Sequence, residues 1–181
     1  MLSIDLAASE KRETGIAYFK NGKIITDTLY SDSDLFQLVD SISPKLIGID
    51  APLSLPFGRT SIEERTSNHF RECDLQLRKL KIRFFPVTLG PMRKLTSRGM
   101  ILKEKFEKSN IEVLEIFPGA TFDRLKIPRK NILECSKFLS SFGLLPKNVH
   151  ESDAAIGLYA LNEYSKGKGI LLEGKDGKIL I

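Results

Sequence analysis

The sequence predicts an α/β fold, a mixed five-stranded sheet in the order 3-2-1-4-5 flanked by helices and carrying a basic helical insertion. Three observations predict it. Asn21-Gly22 joins two apolar runs, and this dipeptide is a strong hairpin signal because a type I′ turn needs positive φ at both positions. A helical pattern then separates the opening strand patterns from a further strand, a crossover that sets strands parallel with a right-handed connection. The third is Leu46–Leu53, Leu-Ile-Gly-Ile-Asp-Ala-Pro-Leu, a short apolar run of the kind covered on both faces in a parallel sheet.

Leu2–Ala7 reads as the first strand, with Asp5 in its middle, and Ala8–Thr14 as a polar connection. Gly15–Lys20 and Lys23–Tyr30 complete an antiparallel meander. Ser31–Ser43 holds a helix, cappable by Ser31, Asp32 or Ser33, with Leu35, Phe36, Leu38, Val39 and Ile42 as its apolar stripe. Pro44 breaks it, and the strand Lys45–Asp50 comes next. Ala51–Gly58 is loop-like, and Ser61-Ile-Glu-Glu64 fits a capping box. The spacing of Phe70, Cys73, Leu77 and Leu80 predicts a helix over about 67–81, with Arg71, Asp74 and Arg78 on a second face. Phe84–Pro91 reads as irregular and Ser97–Ser109 as a helix. Ile111–Phe117 is a strand closed by Pro118-Gly119, and Asn131–Phe142 and His150–Tyr164 are helices. Asp153, Gly157 and Ala160 share a face of the last helix, and the tail suggests a hairpin around Gly174–Gly177.

Bulk properties narrow the class. The 181 residues, 41% hydrophobic and 28% charged, suit one folded unit spanning 1–181 with a sizeable core. No apolar run is long enough to cross a membrane. The opening Met-Leu-Ser-Ile-Asp lacks a basic stretch and is not expected to be a signal peptide. Cys73 and Cys135 lie far apart in no metal-binding spacing and are expected to be reduced thiols of a cytoplasmic protein. The net charge of +5 is uneven. Residues 59–98 hold ten Lys/Arg against Glu63, Glu64, Glu72 and Asp74, a local charge of +6. Such clustering suits a polyanion such as nucleic acid, although a solvated basic surface has the same composition.

The acids point to chemistry. Asp50 ends a buried strand, where open α/β sheets collect their ligands, and an unpaired charge there is too costly for a core position. Asp5, Glu115 and Asp153 fall in this topology at the same end of the sheet. Several carboxylates crowded together suit hard divalent cations such as Mg²⁺ or Mn²⁺, and such a site can activate water in phosphodiester hydrolysis. The residues singled out are therefore Asp5, Asp50 and Asp153 as metal ligands, and Glu115 as a fourth ligand or as the group that orients water. Arg71, Asp74 and Arg78 are phosphate-contacting candidates. Each has a plainer alternative: an Asp5 hydrogen-bonded to backbone at a strand end, a turn-capping Asp50, a Glu115 paired with Lys or Arg, an Asp153 favoured by the helix dipole, and an ion-paired Arg71–Asp74–Arg78 face. His150 is a candidate for proton transfer or for orienting a ligand. Phe84 and Phe85 are either core or base-stacking residues.

Five strands in this arrangement match the ribonuclease H-like architecture. The sequence also resembles a family of predicted nucleases in that superfamily, catalogued as domain of unknown function 429. The resemblance covers most of the chain. It is carried by Ser3-Ile-Asp5-Leu, Ile47-Gly-Ile-Asp-Ala-Pro-Leu-Ser54, Arg71-Glu-Cys-Asp74 with Arg78, Glu115-Ile-Phe-Pro118, and His150-Glu-Ser-Asp-Ala154. After Asp5 the chain has Ala7-Ala8-Ser9 where many such relatives have a glycine-containing turn. The resemblance implies a ribonuclease H-like fold and a metal-dependent nuclease with nucleic acid as partner. Two other classes fit the same core: a phosphoryl-transfer or ATPase-type protein, with Ala8–Thr14 as a phosphate loop, and a non-catalytic nucleic-acid-binding module.

Overall fold

The computed structural model describes residues 1–181 and assembles the central sheet in the order β3-β2-β1-β4-β5. The strands are β1 (Leu2–Asp5), β2 (Thr14–Lys20), β3 (Lys23–Leu29), β4 (Leu46–Ile49) and β5 (Glu112–Glu115). β1, β2 and β3 pair antiparallel, while β4 lies parallel to both β1 and β5. This is the strand order and direction of the ribonuclease H-like architecture. Asn21 and Gly22 turn the first hairpin at φ 52° and 76°, as a type I′ turn requires.

Alternation along the strands divides the core. Leu2, Ile4, Ile47, Ile49 and Val113 pack on one face against Leu35 and Val39 of α1 (Asp32–Ile42) and Leu102 and Phe106 of α3 (Gly90–Lys108). Ala17, Ile24 and Leu46 face the opposite layer, built mainly by α6 (Val149–Ser165) with α4 (Pro118–Leu125) and α5 (Ile132–Phe138). α6 lies unusually close to the sheet. A Cβ at Gly157 would stand 2.4 Å from Ser3 Oγ and 2.5 Å from Ile116 Cδ1, and one at Gly15 only 2.1 Å from the His150 carbonyl oxygen. Glycine at Gly15 thus admits the first turn of α6 directly over the end of β1, beside Asp5.

Helix α1 starts on the reciprocal cap its sequence predicts, with Ser31 accepting from the Asp34 N–H and Asp34 from the Ser31 N–H. Elsewhere the boundaries move. The helix expected over 67–81 is only α2 (Glu72–Lys79), because Asp74 accepts the Arg71 N–H and fixes Arg71 as the extended N-cap. Ser61-Ile-Glu-Glu64 makes capping-type bonds, from Glu63 N–H to Ser61 and from Thr60 N–H to Glu64, but no helix forms after them. The Arg59 guanidinium instead draws in the carbonyls of Glu64, Thr66 and Asn68, acceptors that a helix would have used internally.

α3 begins seven residues earlier than the expected Ser97, at Gly90, since Pro91 is tolerated in a first turn where its missing N–H has no partner to lose. For the same reason Pro118 opens α4 rather than only closing β5. The helix expected over Asn131–Phe142 divides into α5 and a 3₁₀ turn, Ser140–Phe142, before Gly143 at φ 68°. The tail forms the expected hairpin, β6 (Leu171–Gly174) and β7 (Gly177–Leu180). Leu180 bridges to Ile116 beyond the end of β5, and Asp176 accepts from the N–H groups of Phe57 and Glu72. The hairpin thereby fastens α2 and the preceding loop to the sheet edge. No helix is long and apolar enough to cross a membrane.

Candidate active site

Register brings the acids together. Asp5 closes β1 and lies opposite Gly15, while the Asp50 N–H continues the β1–β4 ladder by donating to the Ile4 carbonyl at 2.8 Å. Asp5 and Asp50 thus stand on neighbouring strand ends. α6 brings His150 and Asp153 over the same edge. Its N-cap is Asn148, whose side chain accepts from the Glu151 N–H. Asp153 therefore stands beyond the first turn, past the unpaired N–H groups that would favour its charge.

The electrostatics are those of crowded like charges. Asp50 keeps some access to solvent at the floor of a cavity, yet protein surrounds it deeply enough that desolvation pushes its carboxyl well above the ordinary range. Asp5, Asp153 and Glu115 push it further in that order, and only Arg129 opposes them. Asp153 is raised to about 7 by burial and by Asp5, against the pull of His150, Lys130 and Arg129. His150 Nδ1 lies 2.7 Å from Asp5 Oδ2, and that hydrogen bond raises the imidazole above its usual value.

Glu115 belongs to a second cluster. It shares a register position with Ile49, on the face packed by α3. Both of its oxygens are engaged. Oε2 accepts from Arg71 Nη1 at 2.6 Å and from the Leu53 N–H at 2.8 Å, and Oε1 accepts from Arg71 Nη2 at 2.7 Å. The same guanidinium reaches Asp74 at 2.8 Å and Ser54 at 3.1 Å. Arg71 is 1% exposed and Asp74 2%. Pairing of Arg71 with its neighbours, the plainer alternative in the sequence, is therefore what the structure displays. This buried knot ties β5, α2 and the Ala51–Ser54 loop together and holds that loop behind Asp50. Arg78 stands apart from it, exposed, with its guanidinium 4.3 Å from the Phe70 ring centroid.

The basic segment divides similarly. Arg59, Arg71 and Arg98 are interior. Arg98 pairs with Asp32 at 2.7 Å and donates to the Ala7 carbonyl at 2.8 Å, so it fixes the loop after β1. Arg65, Arg78, Lys79, Lys81, Arg83 and Lys94 remain at or near the surface.

Asp5, Asp50 and Glu115 line a cavity of about 780 Å³ that also takes in Arg129 and several phenylalanines. No three His, Cys, Asp or Glu side chains form a ready-made metal cage. The fit to a divalent cation is one of chemistry: Asp5, Asp50 and Asp153 offer only hard oxygen donors, and their mutual repulsion is what a +2 charge would relieve. Sequence reasoning did not single out Arg129 or Lys130, whose charges oppose the rise of the site's carboxyls. Their only signal is the Pro128-Arg-Lys run before α5.

No family model matches the sequence, and no curated protein does. Among solved structures the chain is similar to a T. thermophilus RuvC in complex with Holliday junction substrate, at 12% identity over 93% of this chain and 98% of that one, with a TM-score of 0.49. At that distance the likeness says nothing about this chain's site or substrate, and the fold stands on its own strand order and directions.

Two outcomes are expected. Arg71→Met strands two buried carboxylates and should cost about 3–5 kcal/mol in urea unfolding, whereas Arg78→Ala should cost less than about 1 kcal/mol. Asp153 is raised in the folded chain, so its contribution to stability is present below the ordinary carboxylate range and lost as pH rises through about 7. In chelator, the stability of Asp153→Asn relative to wild type should therefore grow from pH 4 to about pH 8, as read by thermal melts. A pH-independent difference would contradict this.

Proposed function

We propose that the chain is a divalent-metal-dependent phosphodiesterase acting on nucleic acid, as its resemblance to the predicted-nuclease family implies. The observation that carries the proposal is Asp50, a deeply set carboxylate hemmed in by Asp5 and Asp153 at the floor of an open cavity. A structural acid is paired, as Glu115 is with Arg71. Burial raises the carboxyls of Glu115, Asp50 and Asp153 alike, but Arg71 opposes the rise at Glu115, whereas Asp5 adds to it at Asp50 and Asp153, an arrangement typical of functional sites.

Asp5, Asp50 and Asp153 are the residues that would hold Mg²⁺ or Mn²⁺. Bound there, the metal would supply Lewis-acid stabilisation of the phosphate and a water of lowered pKa. The chain's own residues do the rest. The strand ends fix Asp5 and Asp50 side by side through backbone hydrogen bonds, so little reorganisation is needed at the site. His150 hydrogen-bonds Asp5 and orients its carboxylate. Glu115 enters as the group that positions Arg71 and the Leu53 N–H, and so shapes the loop behind Asp50. Lys130 and Arg129, the latter also paired with Asp123, supply positive charge that acts on the acids and would act on a phosphate beside them. The exposed cations of the basic segment extend that field.

The test is a cleavage assay on single-stranded, double-stranded, hybrid and branched DNA and RNA, with Mn²⁺ or chelator, for wild type and Asp50→Asn. Wild type is expected to cleave at least one substrate only with Mn²⁺, and the variant none. In chelator the melting temperature of Asp50→Asn should equal or exceed that of wild type, because a repelled carboxylate is gone. Added Mn²⁺ should raise the wild-type melting temperature alone. Metal-independent cleavage, or full activity in the variant, overturns the proposal.

A further inference from the structure

The cavity beside the acids has walls unsuited to phosphate alone. Its volume, about 780 Å³, lies within the range of small-molecule sites. Phe84, Phe85 and Phe117 line it together with Pro86 and Val87. Phe70 packs edge-on against Phe84 at 6.0 Å, so those rings are fixed by each other. Phe85 is different. It is 67% exposed, a large apolar ring left in water on the lining of a cavity that Asp5, Asp50 and Glu115 also line. Arg78 lies over Phe70 and Arg129 lies 5.5 Å from the Phe117 centroid, which places guanidinium groups among the rings. Aromatic rings interleaved with cations form a stacking platform for nucleobases.

A second cavity, of about 610 Å³, is also lined by Asp5. Asp5 and Leu6 line both cavities, and the second adds Lys11, Arg12, Tyr30 and His150. Asp5 therefore lines both an aromatic chamber and a polar one, in which Lys11 and Arg12 stand with Glu13. A free nucleotide needs only the first. A strand crossing the acids uses both, with a base on the aromatic side and its backbone continuing past Lys11 and Arg12.

We infer that the aromatic cavity seats one unpaired nucleobase of the strand whose phosphate lies at the acids. The inference rests on the nuclease reading for the nature of the ligand, and it adds that the substrate presents an unpaired nucleotide at the cleavage point. A base within a duplex would first have to be unstacked and unpaired to enter.

The test is binding by fluorescence anisotropy in chelator, where neither metal nor turnover takes part. Fluorescein-labelled DNA and RNA single strands, fully abasic strands of the same length and blunt duplexes are compared on wild type and Phe85→Ala. Phe85 is exposed, so its truncation leaves the core intact, and a matching thermal melt verifies this. Wild type should bind a normal single strand of DNA or RNA about 5-fold to 100-fold more tightly than the abasic strand, the span expected of stacking a base on an aromatic ring. Phe85→Ala should lose most of that preference and bind the abasic strand as wild type does. Phe85→Trp should retain it. The chain has no other tryptophan, so quenching of the introduced indole by a normal strand, and not by an abasic one, reports the stack directly. Equal binding of normal and abasic strands, preference for duplex, an unaffected Phe85→Ala, or adenosine monophosphate competing as well as an unlabelled strand would each overturn the inference. Cleavage without base discrimination would remove this inference and leave the nuclease reading standing. Discrimination without cleavage would do the reverse.

Discussion

Crowding of carboxylates at one end of the sheet is the constraint to which the rest of the structure answers. Burial raises the proton affinity of Asp50 and Asp153, the charge of Asp5 adds to both, and Asp153 adds to Asp50. Repulsion of this kind opposes folding unless the surrounding framework is rigid. Here the framework is a sheet whose central strands carry fully buried Leu2, Ile4, Ile47 and Ile49, with α6 pressed onto it through Gly15 and Gly157. Close approach of α6 is what places Asp153 and His150 over the strand ends. The stability of the core thus maintains an arrangement that the site by itself would disperse.

Glu115 and Arg71 show how a neighbouring acid can be built for the opposite purpose. Glu115 lies at the end of β5, as Asp50 lies beyond β4, and both are charges in apolar runs. Yet Glu115 meets a bidentate guanidinium and a backbone N–H, whereas Asp50 meets other acids. One acid is satisfied and fixes a loop, and the other is left among like charges. Arg71, Asp74 and Arg98 serve the framework in the same way, so part of the basic segment's charge is spent internally. The cations that remain outside, with Lys130 from the loop before α5, are those left without an internal carboxylate, whereas Arg129 beside it pairs with Asp123 at 2.8 Å.

The sheet was legible because its signals are local. Asn21-Gly22 specifies its turn, the apolar run before Asp50 specifies a covered strand, and the crossover rule supplies the order. The convergence of Asp5, Asp50 and Asp153 came from that order. The insertion was less legible because its structure depends on side chains meeting across the chain. Arg59 folds its own loop by taking carbonyls from 64 to 68, and Asp74 shortens α2 from within. Neither bond has a periodicity to betray it. Pro91, placed in an irregular stretch, and Pro118, read as closing a strand, were instead helix openings, a distinction set by the helical residues on their C-terminal side. The fate of Glu115 was undecidable from spacing, since its partner lies 44 positions away in sequence.

The most direct test of the account is diffraction from crystals soaked in Mn²⁺, with data collected at the manganese absorption edge. The account predicts an anomalous peak coordinated by oxygens of Asp5, Asp50 and Asp153, with Glu115 still paired to Arg71. A fully soaked crystal with no peak among those three carboxylates, or with the metal held elsewhere, would contradict it.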